Sequence, residues 1–308
     1  MNQSITKPTH DPGASGQIEH ATIVSRTHEQ IARIRDLHVE TKRVALQMKL
    51  FPKWPDDRRG APPQVLRSSI FGVLRRGRKK RIVDMPVATN DTSTMTLTGW
   101  LLDQHDFDVW LEIYHLARTL TPGGEVRFTI HAMLKRLRIS SADGDAYDRL
   151  KRRLKQLMET TLTYDTPESY GGSGSLIASF RIDKKTGEAI VKTNPEMRGL
   201  WESVAWLNIE QRRSLGTNQL AKAMHAALAA LPDWPPIRAE RLMIRVGSDR
   251  ARVRDFKDDL RHVLDNFERR GWILSYKLGR GDQGMIEIKK VPTPSQARAL
   301  AARAAQGP

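Results

Sequence analysis

The most constraining feature of this 308-residue chain is an apolar helical stripe that occurs twice in one register. Tyr147, Leu150, Leu154, Leu157 and Met158 mark one face of a helix read over about 145–160. Val253, Phe256, Leu260, Val263 and Leu264 mark one over about 249–268, and an offset of 106 residues carries the first set onto the second. A single stripe says only that a helix has a buried face. Two in the same register suggest a duplicated unit.

The flanks extend the match. Upstream of the first helix lie a helical stripe (Phe107, Trp110, Leu111, Tyr114, Ala117), a strand-like run at 125–130 and a short helix at 131–139. Upstream of the second lie a stripe of Leu220, Met224, Leu228 and Leu231, the helix-breaking Pro235-Pro236, and a strand-plus-helix candidate at 237–246. Downstream, each helix is followed by a hairpin pattern: strands at 176–182 and 188–193 about a turn at 183–187, and strands at 272–278 and 285–289 about a Gly-rich turn at 279–284. Helix, strand, short helix, long helix, hairpin is the order of a winged helix, a helix-turn-helix with a β wing. The expected fold class is therefore α+β, two tandem winged-helix domains preceded by a flexible N-terminal region. The expected domains are 85–194 and 195–290, with a partly helical region over 1–84 and a flexible tail over 291–308.

Charge gives such a fold its partner. Lys and Arg number 51 against 35 acids, a net charge of +16, which points to a polyanion, with nucleic acid first and an acidic membrane second. No apolar run is long enough to span a bilayer, the N-terminus carries no signal-like pattern, and cysteine is absent; a cytoplasmic protein without membrane association is expected.

In a helix-turn-helix the second helix enters the major groove. On the first such helix the face opposite the stripe carries Arg149, Arg152, Arg153 and Gln156, with Lys151 and Lys155 at its margins. Arg pairs with guanine and Gln with adenine in a bidentate way. On the second, Ser248 is the expected N-cap, with Arg250, Arg252 and Arg254 just behind it. Asp255, Asp258 and Asp259 then confine DNA contact to the first turns, and Arg261 or His262 are their candidate partners. Lys184 and Lys185 on one wing and Arg280 on the other would touch backbone. The basic run Arg75–Arg81 would bind phosphate directly, in a linker marked by the prolines at 52–63. A solvated face or a merely polar turn is the competing reading at each position.

Several stretches, in order, resemble the TrfA-type initiators of plasmid replication: Trp54-Pro55-Asp56, Arg67-Ser68 with Phe71, and Gly247-Ser248-Asp249 with Arg252-Val253. The resemblance covers about 47–290. It implies binding of double-stranded origin repeats (iterons), opening of an AT-rich region, with single-stranded DNA a further candidate ligand, and recruitment of the host initiator and replicative helicase. It also implies a monomer–dimer equilibrium. Gln47-Met48-Lys49-Leu50-Phe51 resembles the peptide by which replication proteins dock on the host sliding clamp: Gln47 at the rim, Met48 where the family more often has Leu, and Leu50 and Phe51 as buried anchors.

An enzyme is not expected. There is no P-loop, and the nine histidines include no paired metal-binding pattern of a nicking initiator. His105, Asp106 and Asp108 are read as the start of a helix rather than metal ligands, and no cofactor is called for. The rival is a winged-helix transcriptional regulator, which would not need the clamp-like peptide.

Overall fold

The computed structural model describes residues 54–75, 77, 79–87, 94–121, 123–140, 144–165, 170–231, 233–293, 296–298 and 300–301. The clamp-like peptide Gln47–Phe51, the helix expected before it, and Arg76 and Arg78 lie outside them.

The first unit contains β1 (Arg58–Ala61), α1 (Pro63–Leu66), β2 (Phe71–Gly72), β3 (Arg81–Val87), β4 (Thr94–Trp100), β5 (Leu102–Asp103), α2 (Gln104–Ala117), β6 (Glu125–Thr129), α3 (Ile130–Arg136), α4 (Ala146–Met158), β7 (Thr161–Asp165), β8 (Tyr170–Ser175), β9 (Ser179–Ile182), β10 (Glu188–Lys192), a 3-10 helix (Pro195–Glu202) and β11 (Ala205–Asn208). The second contains α5 (Ile209–Ser214), α6 (Gln219–Ala230), β12 (Ile237–Arg238), α7 (Ala239–Arg245), α8 (Val253–Arg269), β13 (Ile273–Leu278) and β14 (Met285–Lys290).

The duplication is present in the connectivity. Helix α2 with β6, α3, α4 and the hairpin β9–β10 corresponds to α6 with β12, α7, α8 and the hairpin β13–β14. The two sheets share a strand order, β6-β10-β9 and β12-β14-β13, so each short strand pairs with the return strand of its wing. The stripes face inward: Leu150, Leu154 and Leu157 are buried in one core, and Phe256, Leu260, Val263 and Leu264 in another, while Tyr147, Met158 and Val253 pack at the margins. Local chemistry starts the helices. Asp103 caps α2 in a reciprocal capping box with Asp106, Thr129 caps α3, and Asn218 caps α6, each cap stabilising by about 1 kcal/mol.

The N-terminal stretch departs from expectation. Residues 54–63, read as linker from their prolines, are folded into the first unit together with 64–72. Pro63 opens a one-turn helix instead of breaking one, and Trp54, Val65, Leu66, Ile70, Phe71 and Leu74 are buried. Strand β1 pairs with β11, and Trp201 stacks on Trp54 at 6.1 Å, so the first core reaches past residue 194 to Leu207. A second departure is the antiparallel sheet β3-β4-β7-β8, which inserts β7 and β8 between α4 and its wing. The tail begins docked, since Gln296 Nε2 donates to the carbonyls of Ala229 and Leu231.

Candidate nucleic-acid interface

Helix α4 and the segment leading into α8 border one cleft of about 1200 Å³. Arg149, Arg152, Arg153 and Gln156 line it from α4; Ser248 and Arg250 line it from the turn before α8. Arg75 and Lys79, from the stretch expected to be linker, complete the wall. Six cationic side chains thus face three acidic ones, Asp103, Asp249 and Asp259. A cleft of one dominant sign raises the local concentration of a polyanion.

These groups are not equally free. Arg152 is exposed, and Arg149 is half-exposed with Asp145 at 4.0 Å. Arg153 is held inside: its Nη1 donates to Asp103 at 3.0 Å and Asp106 at 2.7 Å. Gln156 accepts from Lys79 Nζ at 3.1 Å, and Lys79 also bonds Asp106. Burial disfavours the Asp103 carboxylate, but Arg153 and Lys79 outweigh it and hold its pKa below the usual range. Its neighbour Asp106, buried deeper and facing that charge, is pushed up. Arg153 and Gln156 therefore set the seat of α4, while Arg152 is exposed and Arg149 half-exposed beside Asp145.

At the second helix, Ser248 is not the N-cap. Helix α8 begins at Val253 after Arg252, and Ser248 Oγ accepts from the Arg250 backbone at 3.4 Å. Ser248 is instead held by a parallel bridge to Val73, and the helix starts four residues beyond the expected 249. The acids are neutralised locally: Arg250 pairs with Asp259 at 2.6 Å, Arg252 with Asp255 at 3.1 Å, and Arg261 with Asp258 at 3.0 Å. Arg252 remains 77% exposed and Arg254 is exposed at the same end, outside the cleft. Lys184, Lys185 and Arg280 sit exposed on the two wing turns, also outside the cleft. Arg75 and Lys79 belong to the basic run Arg75–Arg81 expected to meet phosphate, and both line the cleft.

His105, Asp106 and Asp108 start α2, and the two carboxylates are engaged by cations: Asp106 by Arg153 and Lys79, Asp108 by Arg212 and Lys222. Among the described residues no cluster of His, Asp and Glu could hold a metal ion, and no helix is long and apolar enough to cross a membrane.

Two winged helices in tandem, with one cationic cleft bordered by α4 and the turn before α8, define the class as a tandem winged-helix protein. The family model described as TrfA protein matches residues 14–278. The chain belongs to that family, the TrfA-type initiators of plasmid replication. Curated proteins give no match. Among solved structures, a crystal structure of domains 2 and 3 of RctB is similar at 11% identity and a TM-score of 0.48, over 74% of this chain and 98% of that one. The Pi initiator protein in complex with iteron DNA is similar at 10% identity and a TM-score of 0.46, over 62% and 94%.

Proposed function

We propose that this chain starts plasmid replication by gripping the direct repeats of its origin as duplex DNA. Helix α4 presents Arg149 and Arg152 to one stretch of major groove, and the start of α8 presents Arg252 and Arg254 to another. Arg75, Lys79 and Arg250 take the phosphates between them, and Lys184, Lys185 and Arg280 follow the backbone from the wings. The observation that carries this reading is the cleft itself: one cationic surface runs from α4 to the turn before α8.

Family membership supports opening of an adjacent AT-rich segment, with single-stranded DNA as a second ligand, and recruitment of the host initiator and helicase. Sequence alone supports docking of Gln47, Met48, Leu50 and Phe51 on the sliding clamp. The same membership supports a monomer–dimer equilibrium and a cytoplasmic location.

The test is binding to a duplex that the full chain selects from a randomised library, against random duplex, at two salt concentrations. Arg149→Ala with Arg152→Ala should remove on the order of 1–3 kcal/mol per base contact on the selected duplex only. Equal loss on random DNA would reduce both residues to phosphate contacts. Leu50→Ala with Phe51→Ala should abolish retention on immobilised clamp; unchanged retention removes the clamp from the account.

A further inference from the structure

The two reading helices are buried in different core clusters, with Ala226 of α6 shared into the first, and a continuous path of polar contacts joins one helix to the other. It starts at the α7–α8 turn. Val73 N donates to the carbonyls of Val246 and Gly247 at 3.1 and 3.0 Å, and Asp249 N donates back to Val73 at 3.2 Å. Arg75 Nε adds an ion pair to Asp249 at 3.3 Å, and Leu74 N donates to Gln219 Oε1 at 3.0 Å. Immediately before these residues, the short strand β2 pairs in parallel with β5, setting Phe71 opposite Leu102 and Gly72 opposite Asp103. Asp103 in turn holds Arg153 of α4. The strap 71–75 is thus laced to the turn that starts α8 on one side and to the residue that seats α4 on the other.

A second tie lies deeper. Asp108 on α2 accepts from Arg212 Nε on α5 and from Lys222 Nζ on α6, both at 2.6 Å. Arg212 is fully buried, donates also to the Gln104 side chain at 3.0 Å, and lies over the Phe107 ring at 4.8 Å. Burial opposes ionisation of Asp108, but its two cations hold its pKa low. Sliding one unit over the other would strand these charges out of water, which is strongly unfavourable.

The geometry points to Asp108 and the strap glycine Gly72 as positioning residues that fix the separation of α4 and α8, so that the protein selects DNA by the spacing between two half-elements as well as by their bases. The inference rests on the DNA-binding reading above. Each added base pair turns the far half-element by about 35° around the helix axis, and a rigid reader must then give up one of its two groove contacts. A loosely tethered pair would follow the shift.

The experiment takes the duplex selected by the full chain and lengthens or shortens its centre by single base pairs. The proteins compared are the unaltered chain, Asp108→Asn and Gly72→Ala. The second variant keeps every charge but sets a methyl 2.7 Å from the Gly247 carbonyl, wedging the strap from the second unit. The unaltered chain should lose roughly tenfold or more on a spacing change, the cost of a lost half-element contact. The variants should lose less than about threefold on the same change, while a base substitution inside either half-element costs them what it costs the unaltered chain. That base-substitution control separates repositioning from misfolding. Variants that keep the steep spacing profile, or an unaltered chain indifferent to spacing on DNA it still reads, overturn the inference alone. An unaltered chain that cannot tell its selected duplex from random DNA overturns the DNA-binding reading beneath it.

Discussion

Arg153 on α4 donates to the carboxylates of both Asp103 and Asp106, at 3.0 and 2.7 Å, and so turns into its own domain while its neighbour Arg152 faces solvent. Adjacent arginines on one helix therefore have separable roles. Arg153→Ala strips two buried carboxylates of their main partner and should cost about 3–5 kcal/mol of stability. Arg152→Ala should leave stability within about 0.5 kcal/mol and weaken DNA binding instead. Urea unfolding and fluorescence anisotropy on the two variants separate these effects. An Arg153→Ala protein of unchanged stability that has lost its DNA would refute the assignment.

Arg59 and Glu112 form a fork-to-fork pair in the first core, with Nε and Nη2 each 3.0 Å from a carboxylate oxygen and both side chains 2% exposed. Burial pulls the Arg59 pKa down and Glu112 restores part of it. Arg59→Met should destabilise by about 3–5 kcal/mol, since it leaves a buried carboxylate. Glu112→Gln should cost at least as much, because Arg136 and Arg213 also pair with Glu112. Chemical denaturation of the two variants measures both; a smaller loss for Glu112→Gln would show that those two arginines find other partners.

The motifs most legible in the sequence were those set by period. The register of Leu150, Leu154 and Leu157 with Phe256, Leu260 and Val263 exposed the two recognition helices, and the turn residues at 183–187 and 279–284 exposed the wings. What stayed hidden depends on contacts distant in sequence. Prolines 62 and 63 read as linker because a local pattern does not show that Trp54 has Trp201 to stack on. The sheet β3-β4-β7-β8 escaped because its central pairing, β4 with β7, joins residues 63 to 71 apart, as in Thr98 with Thr161 and Thr94 with Asp165. The family-like stretches are largely structural. Trp54 Nε1 donates to His115, Gly247 packs against Gly72 Cα, and Asp249 docks Arg75. Arg153 and Gln156 looked like base readers because a helical wheel shows which way a side chain leaves the axis, not what meets it there.

Three histidines predict the response to acid. Burial lowers the pKa of His225 to about 3, with Arg212 adding to it, and of His115 to about 3, with Arg59 and Arg118 adding. His105 is lowered to about 4 by burial, then by Lys222 and Arg153. The unfolded chain takes up these protons near pH 6.5 and the folded chain does not, so folding binds fewer protons in between. Stability should be complete above about pH 6.5 and fall steadily toward about pH 4, before most carboxylates titrate. Denaturant midpoints across that range measure the fall. His225→Gln should flatten the curve, and a flat curve in the unaltered chain would contradict neutral, buried histidines.

Lys257 ties the second wing to its recognition helix. Its Nζ donates to the carbonyls of Gly279 at 2.5 Å and Gly281 at 2.9 Å, on either side of Arg280. The base of the turn is tight: a Cβ on Gly284 would sit 2.3 Å from the Gly279 oxygen. Removing the ammonium leaves two carbonyls without this donor and frees the tip that carries Arg280. Lys257→Met should therefore weaken DNA binding by about 1 kcal/mol, the scale of a wing contact, though Lys257 need not touch DNA itself. A double-mutant cycle decides the route of the effect. If Lys257 acts by holding the tip, Arg280→Ala costs affinity in the unaltered chain and almost nothing in the Lys257→Met background. Equal costs in both backgrounds would make Lys257 an independent phosphate contact and leave the wing positioned by its strands alone.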